Sequence, residues 1–183
     1  MKGVIFNLLE QLVTDSRGEE EWDDLLDAAG LDGVYTSLGS YPDEQLVALL
    51  MTAGDRWDLP VQDLLRWFGR NALPVLASYY PTFFEGHRTL TSFLATINDV
   101  VHAEVVKLYP EAVVPTFGFE PGPEGSLRLV YTSARRLCGL AEGFIEGAAT
   151  RFAETVTIDQ PECMLRGDSR CVLDCRTGDA GTG

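Results

Sequence analysis

An α+β fold is what this sequence predicts: a helical N-terminal lobe, then a C-terminal lobe with a small antiparallel sheet plus a helix. Three observations lead there. Apolar residues recur at three- and four-residue steps from the start to Leu108. After Pro110 the pattern shortens to alternation, as strands require. Between the last two pairs of short segments lies one more helical stretch, rich in glycine and alanine. The chain has 183 residues and is 45% hydrophobic, enough for one domain with a sizeable core.

Residues 3–15 place Val4, Ile5, Leu8, Leu9, Leu12 and Val13 on one helical face. Residues 19–29 form a second helix, with acids in the first turn, where the helix dipole favours them, and Gly30 as its stop. Residues 31–40 read as loop, from Asp32-Gly33 and Gly39. Pro42 opens a third helix and Pro60 a fourth, with Leu64, Leu65, Trp67 and Phe68 inward. Pro74 and Pro81 are expected to break residues 72–84 into short helical pieces. Residues 89–108 are expected to be the longest helix, striped by Leu90, Leu94, Ile97, Val101, Val105 and Leu108. Two strands follow, residues 113–119 and 126–133, joined through Pro121-Gly122-Pro123-Glu124-Gly125. A helix over residues 136–152 and strands over residues 154–159 and 170–174 complete the lobe. These readings give one domain over residues 1–176, with the helical lobe over about 1–110 and the α/β lobe over about 111–176; residues 177–183 are expected to be a disordered tail.

The formal charge is −14, from 14 Lys and Arg against 28 Asp and Glu. Such a surface disfavours nucleic acid and anionic membranes as partners. No apolar run approaches a membrane span, and the opening stretch lacks a signal-peptide pattern, so a cytoplasmic location is expected.

The chemistry concentrates in Tyr131-Thr132-Ser133-Ala134-Arg135. Alternate positions on a strand share a face, so Tyr131 and Ser133 project together, with Arg135 if the strand runs on. A buried phenol, hydroxyl and guanidinium need acceptors, and a doubly acidic, planar ligand would satisfy all three. Nearby in sequence only Glu124 offers a carboxylate. Upstream, His102 lies beside the apolar stripe of its helix. On its own, a lone histidine in such a place is more often a core or surface residue than a ligand.

His102, Pro115, Tyr131-x-Ser133-x-Arg135 and the opening Met1-Lys2-Gly3-Val4-Ile5-Phe6-Asn7 together resemble the haem nitric oxide/oxygen binding (H-NOX) family. The resemblance runs to about residue 175. It implies a haem b between the lobes, with His102 as axial iron ligand and Tyr131, Ser133 and Arg135 on the propionates. It implies that Pro115 presses on the porphyrin, and that Ile5, and Leu140 nine residues after Tyr131, line the gas side. In oxygen-binding members that last position is a tyrosine that donates a hydrogen bond; leucine donates none. The resemblance thus implies a sensor of nitric oxide that also binds carbon monoxide, with Tyr79 and Tyr80 as the other donors to consider. It implies that nitric oxide weakens or breaks the iron–histidine bond and that the lobes then rotate, signalling in trans to a histidine kinase or a diguanylate cyclase. Neither a nucleophile–base pair nor a phosphate loop marks the chain as an enzyme. The competing reading is a haem-free small-molecule-binding module like the vinyl reductase-type domains, resembled by Glu142-Gly143-Phe144, Gly167 and the late cysteines.

Four cysteines, Cys138, Cys163, Cys171 and Cys175, leave three outcomes open: a structural zinc, free thiols, or a redox-formed disulfide. In the family that the chain resembles, some bacterial members carry zinc in this region, often with a histidine at the position where this chain has Gln160.

Overall fold

The computed structural model describes residues 1–110 and 112–179. Four helices open the chain: α1 (Gly3–Arg17), α2 (Glu19–Ala29), α3 (Asp43–Trp57) and α4 (Val61–Tyr79). Each buries one stripe, as the spacing of its apolar residues requires. Phe6, Leu9 and Val13 of α1 meet Leu46 and Leu49 of α3 and Phe68 of α4 in the core of the helical lobe. Glu19, Glu20 and Glu21 occupy the first turn of α2, and Gly30 ends it in the left-handed conformation at φ 68°.

Pro74 does not break its helix, contrary to the sequence expectation; α4 runs through it for 19 residues. A mid-helix proline loses one backbone hydrogen bond. Burial of Leu64, Leu65, Phe68, Ala72, Leu73 and Ala77 along one face outweighs that loss. The reverse holds for residues 89–108, where one long helix is expected. The chain forms a short helix α5 (Leu90–Leu94), a π-helical segment (Ile97–His102) and a helix α6 (Ala103–Leu108). The Thr96 hydroxyl donates to the Phe93 carbonyl at 2.8 Å at the first break, and tertiary hydrogen bonds hold the second segment.

The C-terminal lobe is β1 (Thr116–Pro121), β2 (Leu127–Thr132), helix α7 (Cys138–Arg151), β3 (Glu154–Glu162) and β4 (Cys171–Asp179). The strands make one antiparallel sheet in the order β1-β2-β4-β3. Leu129 opposes Leu173, and Tyr131 opposes both Phe117 and Cys171. Leu129, Leu173 and Cys175 lie in one core with Ile145 and Ala148 of α7. On β2 the alternate position, Arg128, donates to Asp174 of β4 at 2.7 and 2.8 Å. β4 extends to Asp179, so residues 177–179 are strand and not tail; residues 180–183 lie outside the described residues.

The lobes join where α4 crosses α7. Gly69 of α4 and Gly139, Gly143 and Gly147 of α7 bring the two backbones together; a Cβ on Gly143 would stand 2.1 Å from the Arg66 carbonyl oxygen. Arg66 straps the crossing, donating to Glu146 at 2.5 and 2.9 Å.

Candidate functional site

His102 ends the π-helical segment and is half-buried. Its Nδ1 is buried with no hydrogen-bond partner among the described residues. Burial pushes its pKa below the ordinary imidazole value, and the backbone of Pro115, just ahead of β1, opposes the shift without reaching standard hydrogen-bond geometry. The ring is therefore neutral at pH 7, the form that ligates metals. It stacks on Phe117 of β1, with centroids 5.9 Å apart and planes at 28°. Phe117 in turn lies 5.5 Å from the Tyr131 ring. Three rings thus lead from the π-helical segment to β2.

Tyr131 is 2% exposed. Burial raises its pKa, against the Ser133 hydroxyl and the Leu137 backbone. β2 ends at Thr132, so the strand does not run on to Arg135. A turn takes over, in which the Arg135 backbone N–H donates to the Ser133 hydroxyl at 3.2 Å and that of Arg136 to the Ser133 carbonyl at 3.2 Å. Ser133 and Arg135 remain half-buried while Thr132 is exposed, so the alternation of sides survives the end of the strand.

The partner of Arg135 is one that sequence proximity does not offer. Its Nε donates to Asp43 Oδ2 at 2.5 Å and its Nη1 to the Val113 carbonyl at 2.6 Å. Asp43 Oδ1 receives the N-terminal amine of Met1 at 2.5 Å. Burial works against the Asp43 carboxylate, but these two cations hold its pKa below the ordinary value. In the sequence Asp43 reads only as a first-turn acid of α3, and nothing there marks a contact with Arg135. A guanidinium has five N–H donors. Those outside these two bonds can meet a further carboxylate.

Ile5 and Leu140 lie in the core of the helical lobe, Ile5 half-buried and Leu140 7% exposed. Tyr79 and Tyr80 are 55% and 40% exposed, on the outside of α4 and just past its end.

Three of the four cysteines converge. The sulfurs of Cys138, Cys163 and Cys171 all lie within 4.8 Å of one another, and all three residues are buried. The Cys138–Cys163 separation is 3.7 Å and the Cys163–Cys171 separation 4.0 Å. Burial pushes the Cys171 thiol up to about 12. The Gln160 amide bears on Cys138, yet its Nε2 makes no standard hydrogen bond among the described residues. Cys175 is a correction to the expected ligand set. It shares a face of β4 with Cys171 but stands four residues on, about 13 Å along a strand. It belongs instead to the core beneath α7.

A family model described as haem-NO-binding matches residues 2–160. The chain belongs to the haem-NO-binding, or H-NOX, family. Solved structures agree. An H-NOX protein of Shewanella oneidensis in the Fe(II)NO state is 36% identical, with a TM-score of 0.91 over 98% of this chain and 100% of that one. An unliganded Fe(II) H-NOX protein of K. algicida is 28% identical, with a TM-score of 0.88 over 98% and 97%. The H-NOX of Shewanella woodyi, bound to IWP-051 in the Fe(II)CO state, is 30% identical, with a TM-score of 0.83 over 100% and 97%. No curated protein matches the chain. H-NOX domains are haem-based gas sensors, and their α+β architecture is the one described above. The residues present fit a haem: a neutral imidazole with an unpartnered buried nitrogen, and a phenol, a hydroxyl and a guanidinium that can receive carboxylates.

Proposed function

We propose that this chain is a nitric oxide sensor that holds haem b through His102 and through Tyr131, Ser133 and Arg135. The observation that carries the reading is the half-buried His102 ring, its Nδ1 without a hydrogen-bond partner among the described residues, stacked on Phe117 and joined through it to Tyr131. When bound, the haem supplies an iron centre that takes up diatomic gases. His102 offers that iron a lone pair, because burial keeps its imidazole neutral. Tyr131, Ser133 and Arg135 would hold the propionates, with Asp43 fixing the guanidinium through its Nε. Pro115, whose backbone lies beside the His102 ring, would line the haem site.

Ile5 and Leu140 set gas selectivity. Neither donates a hydrogen bond, and oxygen needs a donor where nitric oxide and carbon monoxide do not. The exposure of Tyr79 and Tyr80 supports the same conclusion. The chain passes its signal in trans, to a histidine kinase or a diguanylate cyclase, and is itself no enzyme. Its location is cytoplasmic; among the described residues no helix is long and apolar enough to cross a membrane. Cys138, Cys163 and Cys171 hold a structural zinc.

Exposing the reduced, haem-loaded protein to each gas tests the selectivity. Nitric oxide and carbon monoxide should each shift the Soret band, and air should give slow oxidation without a stable oxygenated spectrum. A persistent oxygen complex would overturn the assignment of Ile5 and Leu140.

A further inference from the structure

Asn98 makes two hydrogen bonds to a single residue of the sheet. Its Nδ2 donates to the Phe117 carbonyl at 2.6 Å, and its Oδ1 accepts from the Phe117 backbone N–H at 3.3 Å. The side-chain amide thus does for β1 what a neighbouring strand would do. β1 is an edge of the sheet, with β2 on its other side. Unpaired strand edges are commonly covered, and the cover can come from any nearby loop or helix. Here it comes from the π-helical segment that carries His102, four residues after Asn98.

The same sheet residue is therefore gripped twice by one helical segment. Asn98 holds the backbone of Phe117, and the His102 ring lies 5.9 Å from the Phe117 ring. Phe117 is also the register partner of Tyr131. A π-helical run is rarer and less favourable than an α-helix of the same residues, and it persists where outside contacts hold it. The two bonds from Asn98 are such contacts, placed within the six residues that adopt the form.

We propose that Asn98 is a positioning residue. Its amide fixes the register of the Ile97–His102 segment against β1, and so couples the His102 imidazole to the strand pair that carries Tyr131. The proposal rests on the haem reading above for the role of His102; the clamp itself does not. A mere edge cap would affect stability alone. A positioning residue also changes the bond that His102 makes.

The test uses the native chain, Asn98→Ala and Asn98→Asp. In the haem-free protein, exchange of the Phe117 backbone amide is followed by NMR. Asn98→Ala should speed it by about tenfold or more, because the acceptor is lost. Asn98→Asp should stay near native, because a carboxylate oxygen still accepts. In the ferrous haem-loaded protein, resonance Raman reads the iron–histidine stretch. Asn98→Ala should shift and broaden that band, and Asn98→Asp, which keeps one of the two bonds, should fall between Ala and native. Unchanged Phe117 exchange in Asn98→Ala overturns the clamp. Faster exchange with a native iron–histidine band in both variants overturns the positioning role and leaves an edge cap. A native chain that takes up no haem overturns the haem reading and the proposed coupling with it, while the exchange data still report on the clamp. Should Asn98→Ala not fold, Asn98→Asp decides the positioning role alone: a native band in it overturns that role, and a shifted one supports it.

Discussion

Replacing Gly143 with alanine should loosen the joint between the lobes. Its Cβ would stand 2.1 Å from the Arg66 carbonyl oxygen and 2.9 Å from both the Arg66 carbonyl carbon and the Arg70 nitrogen. Ordinary contact between heavy atoms begins near ~3.5 Å. All three neighbours are backbone, so no side chain can swing aside, and the helices must part by more than about 1 Å. Overpacking of this kind costs typically ~1–3 kcal/mol. The upper end applies, because separation also disturbs the bonds from Arg66 to Glu146 and the ion pair with Glu142 at 3.3 Å. For a chain of this length ~3 kcal/mol lowers the Tm by roughly 6–12 °C. Gly147→Ala, whose Cβ would lie 2.6 Å from the Arg70 carbonyl oxygen, should cost less. Gly118→Ala, with its nearest neighbour at 3.4 Å, should stay within about 2 °C of native. Thermal unfolding followed by circular dichroism measures all three. A Gly143→Ala melt within about a degree of native, or a smaller effect than Gly118→Ala, would refute the close crossing of α4 and α7.

Arg135→Ala should lower haem retention on purification more than Thr132→Ala, since a charge-assisted hydrogen bond is worth ~1.5–3 kcal/mol and Thr132 faces solvent; equal haem content would count against the triad. Metal analysis should find about one zinc per chain. It should fall, with stability, in Cys138→Ser, Cys163→Ser and Cys171→Ser but not in Cys175→Ser, and loss in the last alone would contradict the three-thiol site. Glu21 accepts from Arg56 at 2.9 and 3.0 Å and from the Trp57 indole at 2.6 Å, which holds its pKa at about 2 against an ordinary 4.5. A pKa lowered by folding gives stability that is full above about 4.5 and is lost as pH falls toward 2. Urea unfolding at pH 7 and pH 3 should therefore show a smaller loss in Glu21→Gln than in the native chain, by about 1 kcal/mol after allowance for solvent screening; equal losses would deny the pair its role.

Much of the fold was legible because its periodicities are local. The stripes of α1 to α4 and the alternation of β2 each follow from residues a few positions apart. The failures came where distant contacts decided the outcome. Pro74 sits in an unbroken helix because its neighbours are buried. The stripe from Leu90 to Leu108 keeps helical spacing throughout, so nothing in it announces a π-helical segment held by Phe117. Tyr131, Ser133 and Arg135 could be read as donors in want of acceptors, yet Asp43 could not be named, because the pairing spans most of the helical lobe. Cys171 and Cys175 share a strand face, as the spacing says, but a strand rises too steeply for thiols four residues apart to meet at one ion.

The central claim is that His102 is the ligand of a haem. The absorption spectrum of the purified ferrous protein tests it most directly, native against His102→Ala. The account predicts a strong Soret band in the native protein that disappears in His102→Ala, and that free imidazole restores by taking the ring's place. A native spectrum without a Soret band, or an identical band in the two proteins, would contradict it.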